Sequence, residues 1–200
     1  YKILGETRDD AAGECFDKVA RILGLGYPGG PAIAAEAAKY KIQNTRYKIQ
    51  LPRPMIHQKN YDFSFSGLKT AVLYKVRELK TINYKLKTEL CAEIQQAIID
   101  VLIYKTIKAA KNCKARSIIL GGGVAANDEL RKQFQEKIKK EMPAVQYYVP
   151  DMQFCTDNAV MTGITAFFHT ESRKSGTKVK KRKKSSSPLK NIKAQADLQI

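Results

Sequence analysis

The first residues whose spacing suits chemistry are three consecutive glycines, Gly121–Gly123. They follow a β-rich run at residues 117–120 and precede a helix predicted from about residue 125 to residue 140. Glycine lets the backbone approach a ligand closely, and the N–H groups at a helix N-terminus attract anions. The pattern predicts a place for a nucleotide or another anion, with Asn127 hydrogen-bonding a ribose or a base. A plain tight turn has the same pattern.

A second glycine turn lies earlier in the chain, in the sequence Pro28–Pro31. Asp17 precedes Gly30 by 13 residues, on the helix that leads to this turn. A carboxylate there can accept hydrogen bonds from two ribose hydroxyls. A surface charge paired with Lys18 or Arg21 is the alternative interpretation of Asp17.

A third candidate is Asp157, at the start of the last predicted helix. An aspartate in this position is either an N-cap or a metal ligand. The only histidines, His57 and His169, are isolated from each other in the sequence. A metal ion needs several ligands, so the sequence predicts no complete metal site within this chain.

Helices and short strands alternate along the chain, which indicates an α/β protein. Thr7 and Asp10 form a capping-box pattern for the first helix, and Thr156 or Asp157 is predicted to cap the last one. Ser66 is predicted to cap a helix with apolar residues on one face. Besides the helix at Ser66, the predicted helices cover residues 7–23, 31–40, 89–112, about 125–140 and a segment ending at 169. The predicted strands cover residues 117–120 and 145–149.

The charge of the chain favours an anionic partner. It has 36 basic and 19 acidic residues, and residues 1–172 retain 26 basic against 18 acidic. Such an excess suits RNA or a nucleotide. Residues 173–200 are rich in lysine and serine and are predicted to form a disordered tail, either a phosphate-binding arm or a solvated end. Without an apolar run near 20 residues or clustered cysteines, we expect a cytoplasmic protein with reduced thiols and no membrane partner.

Five sequence blocks in order carry a resemblance to a known family. The chain resembles the tRNA N6-adenosine threonylcarbamoyltransferase family (TsaD), in its bacterial branch, over nearly all of residues 1–170. The blocks are Leu4-Gly-Glu-Thr-Arg-Asp-Asp-Ala-Ala-Gly-Glu-Cys-Phe-Asp17-Lys, Gly24-Leu-Gly-Tyr-Pro-Gly-Gly30-Pro, Phe63-Ser-Phe-Ser-Gly-Leu-Lys-Thr70, Gly121-Gly-Gly-Val-Ala-Ala-Asn127 and Cys155-Thr-Asp157-Asn.

The resemblance implies an actin/Hsp70/sugar-kinase-like (ASKHA) fold with two α/β lobes around a nucleotide cleft. Residues 1–155 would form most of the second lobe, with a helical insertion around 31–112, and residues 156–172 a closing helix. The chain begins with Tyr1 rather than methionine, which suggests a fragment that lacks most of the first lobe. The family's paired-histidine metal motif and a further substrate loop would precede this start.

The family transfers a threonylcarbamoyl group from threonylcarbamoyl-AMP to N6 of the adenosine 3′ of the anticodon, in tRNAs reading codons that begin with A. By motif, Asp17, Gly30 and Asn127 would contact the adenylate, and Asp157 would be one ligand of an iron or zinc ion. Implied partners are tRNA and proteins of the TsaB and TsaE type. No residue stands out as a covalent nucleophile, so direct transfer is expected and the catalytic residue stays unassigned.

Two other classes of function stay open at this point. One is a small-molecule kinase or ATPase of the same superfold, because fold does not decide function. The other is a non-catalytic RNA-binding or scaffold fragment, which the basic charge and the expected lack of the first lobe support. The blocks at residues 63–70 and 155–158 favour the transferase.

Overall fold

The computed structural model describes residues 2–40 and 49–175, and it divides the chain into a unit that ends at Asp157 and a unit that begins at Asn158. The first unit is mainly helical, with a small sheet. Its elements, in chain order, are α1 (Ala12–Ile22), α2 (Gly29–Ala38), α3 (Ser66–Leu79), α4 (Tyr84–Asn112), β1 (Ser117–Ile119), α5 (Asp128–Glu141) and β2 (Gln146–Tyr148). Short 3-10 turns cover Gly123–Ala126 and Met152–Phe154. The predicted α/β content is confirmed.

Helix α4 organises the first unit because it is apolar on opposite sides. Ile94 and Ile98, both fully buried, pack into a cluster with α1, α2 and α3. Ile99 and Ile103 face the other way, into a second cluster with α5 and the strands. A helix that is apolar all round is a buried helix. Each fully buried isoleucine contributes about 1.5–3 kcal/mol through the area it removes from water.

The two strands pair in parallel, with Ser117 opposite Gln146 and Ile119 opposite Tyr148. Helix α5 connects them and covers one side of the sheet through Phe134, which is buried. Parallel strands need a crossover connection, which here is α5. The glycine run lies directly after β1 and leads into this crossover helix.

Two buried carboxylates on α4 hold the irregular segment after residue 48. Glu89 accepts a hydrogen bond from the Ile49 N–H, and Glu93 accepts one from the Leu51 N–H at 2.8 Å. Arg53 pairs with Glu93, which is 1% exposed, and with Asp100 at 2.9 Å. Buried charges are tolerated when they are paired in this way, so α4 and the segment 49–53 form one structure.

The predicted start and cap of the first helix are wrong. Helix α1 begins at Ala12, and Thr7 lies in an isolated parallel bridge with Phe63. The backbone of residues 6–8 is committed to Phe63, whose N–H donates to Glu6 and whose carbonyl accepts from Arg8. At the N-terminus of α1, the side chain of Glu14 instead accepts a hydrogen bond from the Ala11 N–H at 3.3 Å.

Other predicted boundaries shift for local reasons. Helix α2 begins at Gly29 instead of Pro31. Helix α4 begins at Tyr84, five residues before its predicted start, because Asn83 caps it by accepting from the Leu86 N–H. Ser66 is the first residue of α3 and does not cap it.

The second unit contains helix α6 (Ala159–Ser175). The predicted cap by Thr156 or Asp157 is wrong, since Asn158 accepts the hydrogen bond from the Met161 N–H at 3.1 Å. The helix extends past the predicted end at residue 169, and most of the predicted tail, residues 176–200, lies outside the described residues. Within the described ranges, no helix is both long enough and apolar enough to cross a bilayer.

Candidate functional site

Asp17 and the Pro-Gly-Gly turn form a single structural unit. Asp17, partly buried on α1, accepts a hydrogen bond from the Gly29 N–H to its Oδ1 at 2.7 Å. Gly29 opens α2, so this N–H has no acceptor within its own helix. A carboxylate at this position satisfies the N–H and interacts favourably with the helix dipole. The bond engages one carboxylate oxygen, and Oδ2 remains for another donor.

The two glycines of this turn have different surroundings. A Cβ on Gly29 would lie 2.6 Å from the Asp17 Cα and 2.6 Å from the Phe16 carbonyl oxygen. A Cβ on Gly30 would have no atom of the described residues within 4 Å. Close packing of α2 on α1 therefore explains why position 29 is a glycine, but it does not explain the glycine at position 30. The backbone at Gly30 is left open to approach by a ligand.

The glycine loop after β1 turns into α5 through Asn127. Gly122 has a φ of +84°, a conformation that favours glycine. Asn127 is the N-cap of α5, where its Oδ1 accepts from the Leu130 N–H at 2.9 Å. Its Nδ2 donates to Oε1 of Gln95 on α4, also at 2.9 Å. These bonds fix the amide and leave one of its N–H groups for a ligand.

One face of α1 joins the two loops that the sequence singled out. Gly13 and Asp17 are four residues apart and therefore lie on the same face of the helix. A Cβ on Gly13 would lie 3.5 Å from Val124 Cγ2, in the turn that follows the glycine run. Asp17 holds the Pro-Gly-Gly turn through Gly29. Asp17 thus lies on the helix face that both turns meet, while Gly30 belongs to the first of these turns and Asn127 directly follows the second.

Asp157 is exposed and follows the turn Met152–Phe154. In residues 2–40 and 49–175, no three histidine, cysteine, aspartate or glutamate side chains come together in a way that could hold a metal ion. His57 instead packs edge-on against Tyr104, with ring centroids 5.4 Å apart. The described residues thus do not fit a complete metal centre, and Asp157 is at most one ligand of such a site.

Asp9, which is not among the residues predicted for the site, caps α3 from more than 50 residues away along the chain. Its carboxylate accepts from the Phe65 N–H at 2.8 Å and the Ser66 N–H at 3.2 Å. It also accepts from the hydroxyls of Ser64 and Ser66, at 2.6 and 2.7 Å. Burial alone raises the pKa of Asp9, but these hydrogen bonds outweigh it and hold the pKa well below its usual range. The alternating serines at positions 64 and 66, where α3 begins, were the available signal.

Cys15, on α1, is not prepared for nucleophilic attack. All four cysteines are free. Burial raises the pKa of the Cys15 thiol to about 12, and nearby Asp10 adds to this shift. Its Sγ donates to the Phe65 carbonyl at 3.6 Å. The structural interpretation of Cys15 is therefore the one that fits its surroundings.

Comparison with known proteins places the chain in a family. The family model described as "TsaD: tRNA N6-adenosine threonylcarbamoyltransferase" matches residues 1–164. Relatives with this same name include those of Thermosipho africanus, 48% identical over 166 residues, and Syntrophomonas wolfei, 45% identical over 172 residues. The matches cover 83% and 86% of this chain, and 48% and 49% of the relatives.

The chain spans about half the length of the curated relatives it matches. The matched region nevertheless includes all five sequence blocks and every element from α1 to β2. The chain belongs to the tRNA N6-adenosine threonylcarbamoyltransferase family.

Proposed function

We propose that the protein containing this chain transfers the threonylcarbamoyl group from threonylcarbamoyl-AMP to N6 of the adenosine 3′ of the anticodon, in tRNAs reading codons that begin with A. Family membership supports the activity, and one observation in the structure supports the site. A single face of α1 meets both glycine turns, through Gly13 against Val124 and through Asp17 at Gly29. Because the relatives are about twice as long, we propose the activity for a protein of their full length.

The adenylate is proposed to bind across the two turns. Asp17 Oδ2 accepts from the ribose hydroxyls while Oδ1 holds the Gly29 N–H. The open backbone at Gly30 lies against the nucleotide, since no atom of the described residues comes within 4 Å of a Cβ placed there. The free N–H of Asn127 reaches the nucleotide from the N-cap of α5, where its other bonds keep the amide in a fixed orientation.

Transfer is proposed to occur directly. The N6 amine attacks the carbamoyl carbonyl, a new C–N bond forms, the bond from the carbonyl carbon to the phosphate oxygen breaks, and AMP leaves while the amine loses a proton. The raised pKa of Cys15 argues against a thiolate intermediate at that residue. Preorganised donors near the carbonyl would stabilise its developing charge.

For the metal ion, the proposal covers a single residue of this chain, Asp157. We propose that Asp157 supplies one ligand to a divalent ion, iron or zinc, whose other ligands come from outside this chain. The described residues do not complete such a centre, so we assign no step of the transfer to it. Placement of this chain as most of the second ASKHA lobe, with residues 156–172 as a closing helix, is part of the same proposal.

For the tRNA partner, the end of α4 offers a cationic surface. Residues 105–116 contain five basic residues and no acidic one; Lys105 is buried, whereas Lys111, Lys114 and Arg116 are exposed. Lys111 is paired with Glu141, whereas Lys114 is exposed and has a φ of +52°. We propose that this end of α4 contacts tRNA phosphates in the cytoplasm, where proteins of the TsaB and TsaE type would assist the full enzyme.

Salt dependence tests this surface. Lys114→Asn removes the charge, and asparagine tolerates the left-handed conformation. The slope of log affinity against log salt should become shallower by about 1 if Lys114 meets a phosphate. Deleting residues 173–200 should flatten the slope further if the tail also meets phosphates. An unchanged slope in each case would leave both segments without a role in tRNA binding.

A choice of substrates tests the activity against the alternatives. The chain is combined with a separately produced first half of the Thermosipho africanus relative. One reaction contains threonylcarbamoyl-AMP with or without unmodified tRNA, and another contains ATP with a sugar or acetate. Release of AMP that depends on tRNA supports the transferase. Release of ADP from ATP with a sugar or acetate acceptor would support the kinase alternative instead, and tRNA binding without any turnover would support the scaffold.

A further inference from the structure

Arg131 ties together three separate segments around the glycine loop. It lies on the second turn of α5, and its Nε donates to the carbonyl oxygen of Ala125, in the 3-10 turn after the glycine run. Its Nη2 donates to the carbonyl oxygen of Pro150 at 2.8 Å and contacts Cys155 Sγ at 2.9 Å. One guanidinium therefore joins the start of α5, the end of β2 and the segment that precedes Asp157.

The bonds of Arg131 depend on the planar shape of its side chain. A guanidinium presents five N–H donors in a fixed fork, whereas a lysine ammonium carries three donors on one atom. Ala125 and Cys155 are 1% and 2% exposed, so water has little access to replace the arginine at these two residues. Among the described residues no carboxylate pairs with Arg131, and its contacts are thus chiefly to the backbone and to a sulfur atom.

The three segments carry two of the residues assigned above to the site. Asn127 precedes Arg131 by four residues, on the same side of α5. Asp157 follows Cys155 by two residues. Cys155 Sγ also lies 3.6 Å from the Asp151 carbonyl oxygen, which closes the segment 150–155 around the thiol. A shift of either segment would therefore change the contacts of Arg131.

We propose that Arg131 is a positioning residue that couples the glycine loop to the segment 150–157, so that nucleotide binding at Asn127 orders both. The inference rests on the proposed function for the identity of the ligand. The coupling itself rests only on the contacts of Arg131 with Ala125, Pro150 and Cys155. Arg131 does not touch the ligand in this proposal and acts through the two loops.

The test compares the wild-type 200-residue chain with Arg131→Lys and Arg131→Ala, with Lys132→Ala as the matched control. Lys132 is the exposed neighbour on the same helix turn. AMP is the probe. We measure its Kd by calorimetry, and we measure amide hydrogen exchange in residues 121–127 and 150–157 with and without AMP.

In the wild type and in Lys132→Ala, AMP should slow exchange in both segments at least threefold. In Arg131→Lys the slowing at 150–157 should disappear and the Kd of AMP should rise at least fivefold, because the charge remains but the fork is lost. A role confined to stabilising the glycine loop would raise basal exchange in 121–127 alone and leave the AMP-dependent slowing at 150–157 intact. Retention of that slowing in Arg131→Lys overturns the proposal.

A second outcome separates this proposal from the proposed function. If the wild-type chain shows no AMP binding at all, the nucleotide site assigned to it is wrong. The coupling is then read from basal exchange, which in Arg131→Lys should increase together in 121–127 and 150–157. An increase confined to 121–127 would overturn the role of Arg131 without reference to any ligand.

Discussion

Replacing each glycine of the Pro-Gly-Gly turn by alanine should have opposite effects on stability. Gly30→Ala adds a methyl group where no atom of the part of the chain that the structure describes lies within 4 Å, and the residue is in the first turn of α2. Gly29→Ala adds the same group 2.6 Å from backbone atoms of Phe16 and Asp17. The pair is matched in chemistry and position, so a difference between the variants reports their surroundings alone.

The magnitudes follow from helix propensity and overpacking. Alanine in place of glycine within a helix stabilises by about 0.5–1 kcal/mol, mainly by restricting the unfolded chain, so Gly30→Ala should raise the free energy of unfolding by about 0.5 kcal/mol. Overpacking typically costs about 1–3 kcal/mol, and Gly29→Ala should fall at the upper end because the contacts are with backbone that cannot rotate away. Gly30→Ala should nevertheless weaken AMP binding about tenfold, which is roughly 1.4 kcal/mol.

Urea unfolding followed by circular dichroism measures the stability, and calorimetry measures the Kd of AMP. The decisive pattern is Gly30→Ala more stable than wild type and poorer in AMP binding. If Gly30→Ala binds AMP as tightly as wild type, the backbone at Gly30 is not part of the nucleotide site. If Gly29→Ala is as stable as wild type, the packing explanation for Gly29 is wrong.

Three further predictions concern Asn127, Asp9 and the cysteines. Asn127→Ala should lower the free energy of unfolding by about 1 kcal/mol and weaken AMP binding. Asn127→Ser should keep most of the stability, since serine also caps helices, but should lose the affinity for AMP. Urea titration measures the stability and calorimetry the affinity. Asp9→Ala should cost about 1–2 kcal/mol at pH 7 as a lost cap. Because the folded pKa of Asp9 is lowered, its contribution is complete above the unfolded pKa and fades at lower pH, so the wild-type advantage in urea unfolding should narrow below about pH 4. Iodoacetamide should label exposed Cys113 in the native protein well before Cys15, a difference that mass spectrometry detects and that equal labelling would contradict.

The helices with a regular apolar pattern could be predicted from the sequence, but the interactions that fix their ends could not. The apolar pattern after Ser66 predicts a helix there, and the structure has α3 at Ser66–Leu79, with Ser66 as its first residue instead of its cap. Its cap is Asp9, more than 50 residues away, and a local pattern cannot indicate a partner at that separation. The same holds for Thr7, whose capping pattern fails because its backbone pairs with Phe63.

The candidate site shows a similar division between residue types and contacts. The glycine turns identify Gly30 and the loop before Asn127 because glycine itself is the signal. The separate roles of Gly29 and Gly30 depend on how closely α2 packs on α1, which spacing does not reveal. Arg131 gave no signal in the sequence, since its partners are mainly backbone carbonyls and carbonyls are present at every residue.

Formation of threonylcarbamoyladenosine in tRNA is the most direct measurement of the proposed activity. Unmodified tRNA that reads codons beginning with A is incubated with threonylcarbamoyl-AMP and the chain combined with the first half of a relative, then digested to nucleosides and measured by mass spectrometry. The account predicts the modified nucleoside in this mixture, its loss with Asp17→Ala, and none with the 200-residue chain alone. Equal product with Asp17→Ala, or product from the chain alone, would contradict it.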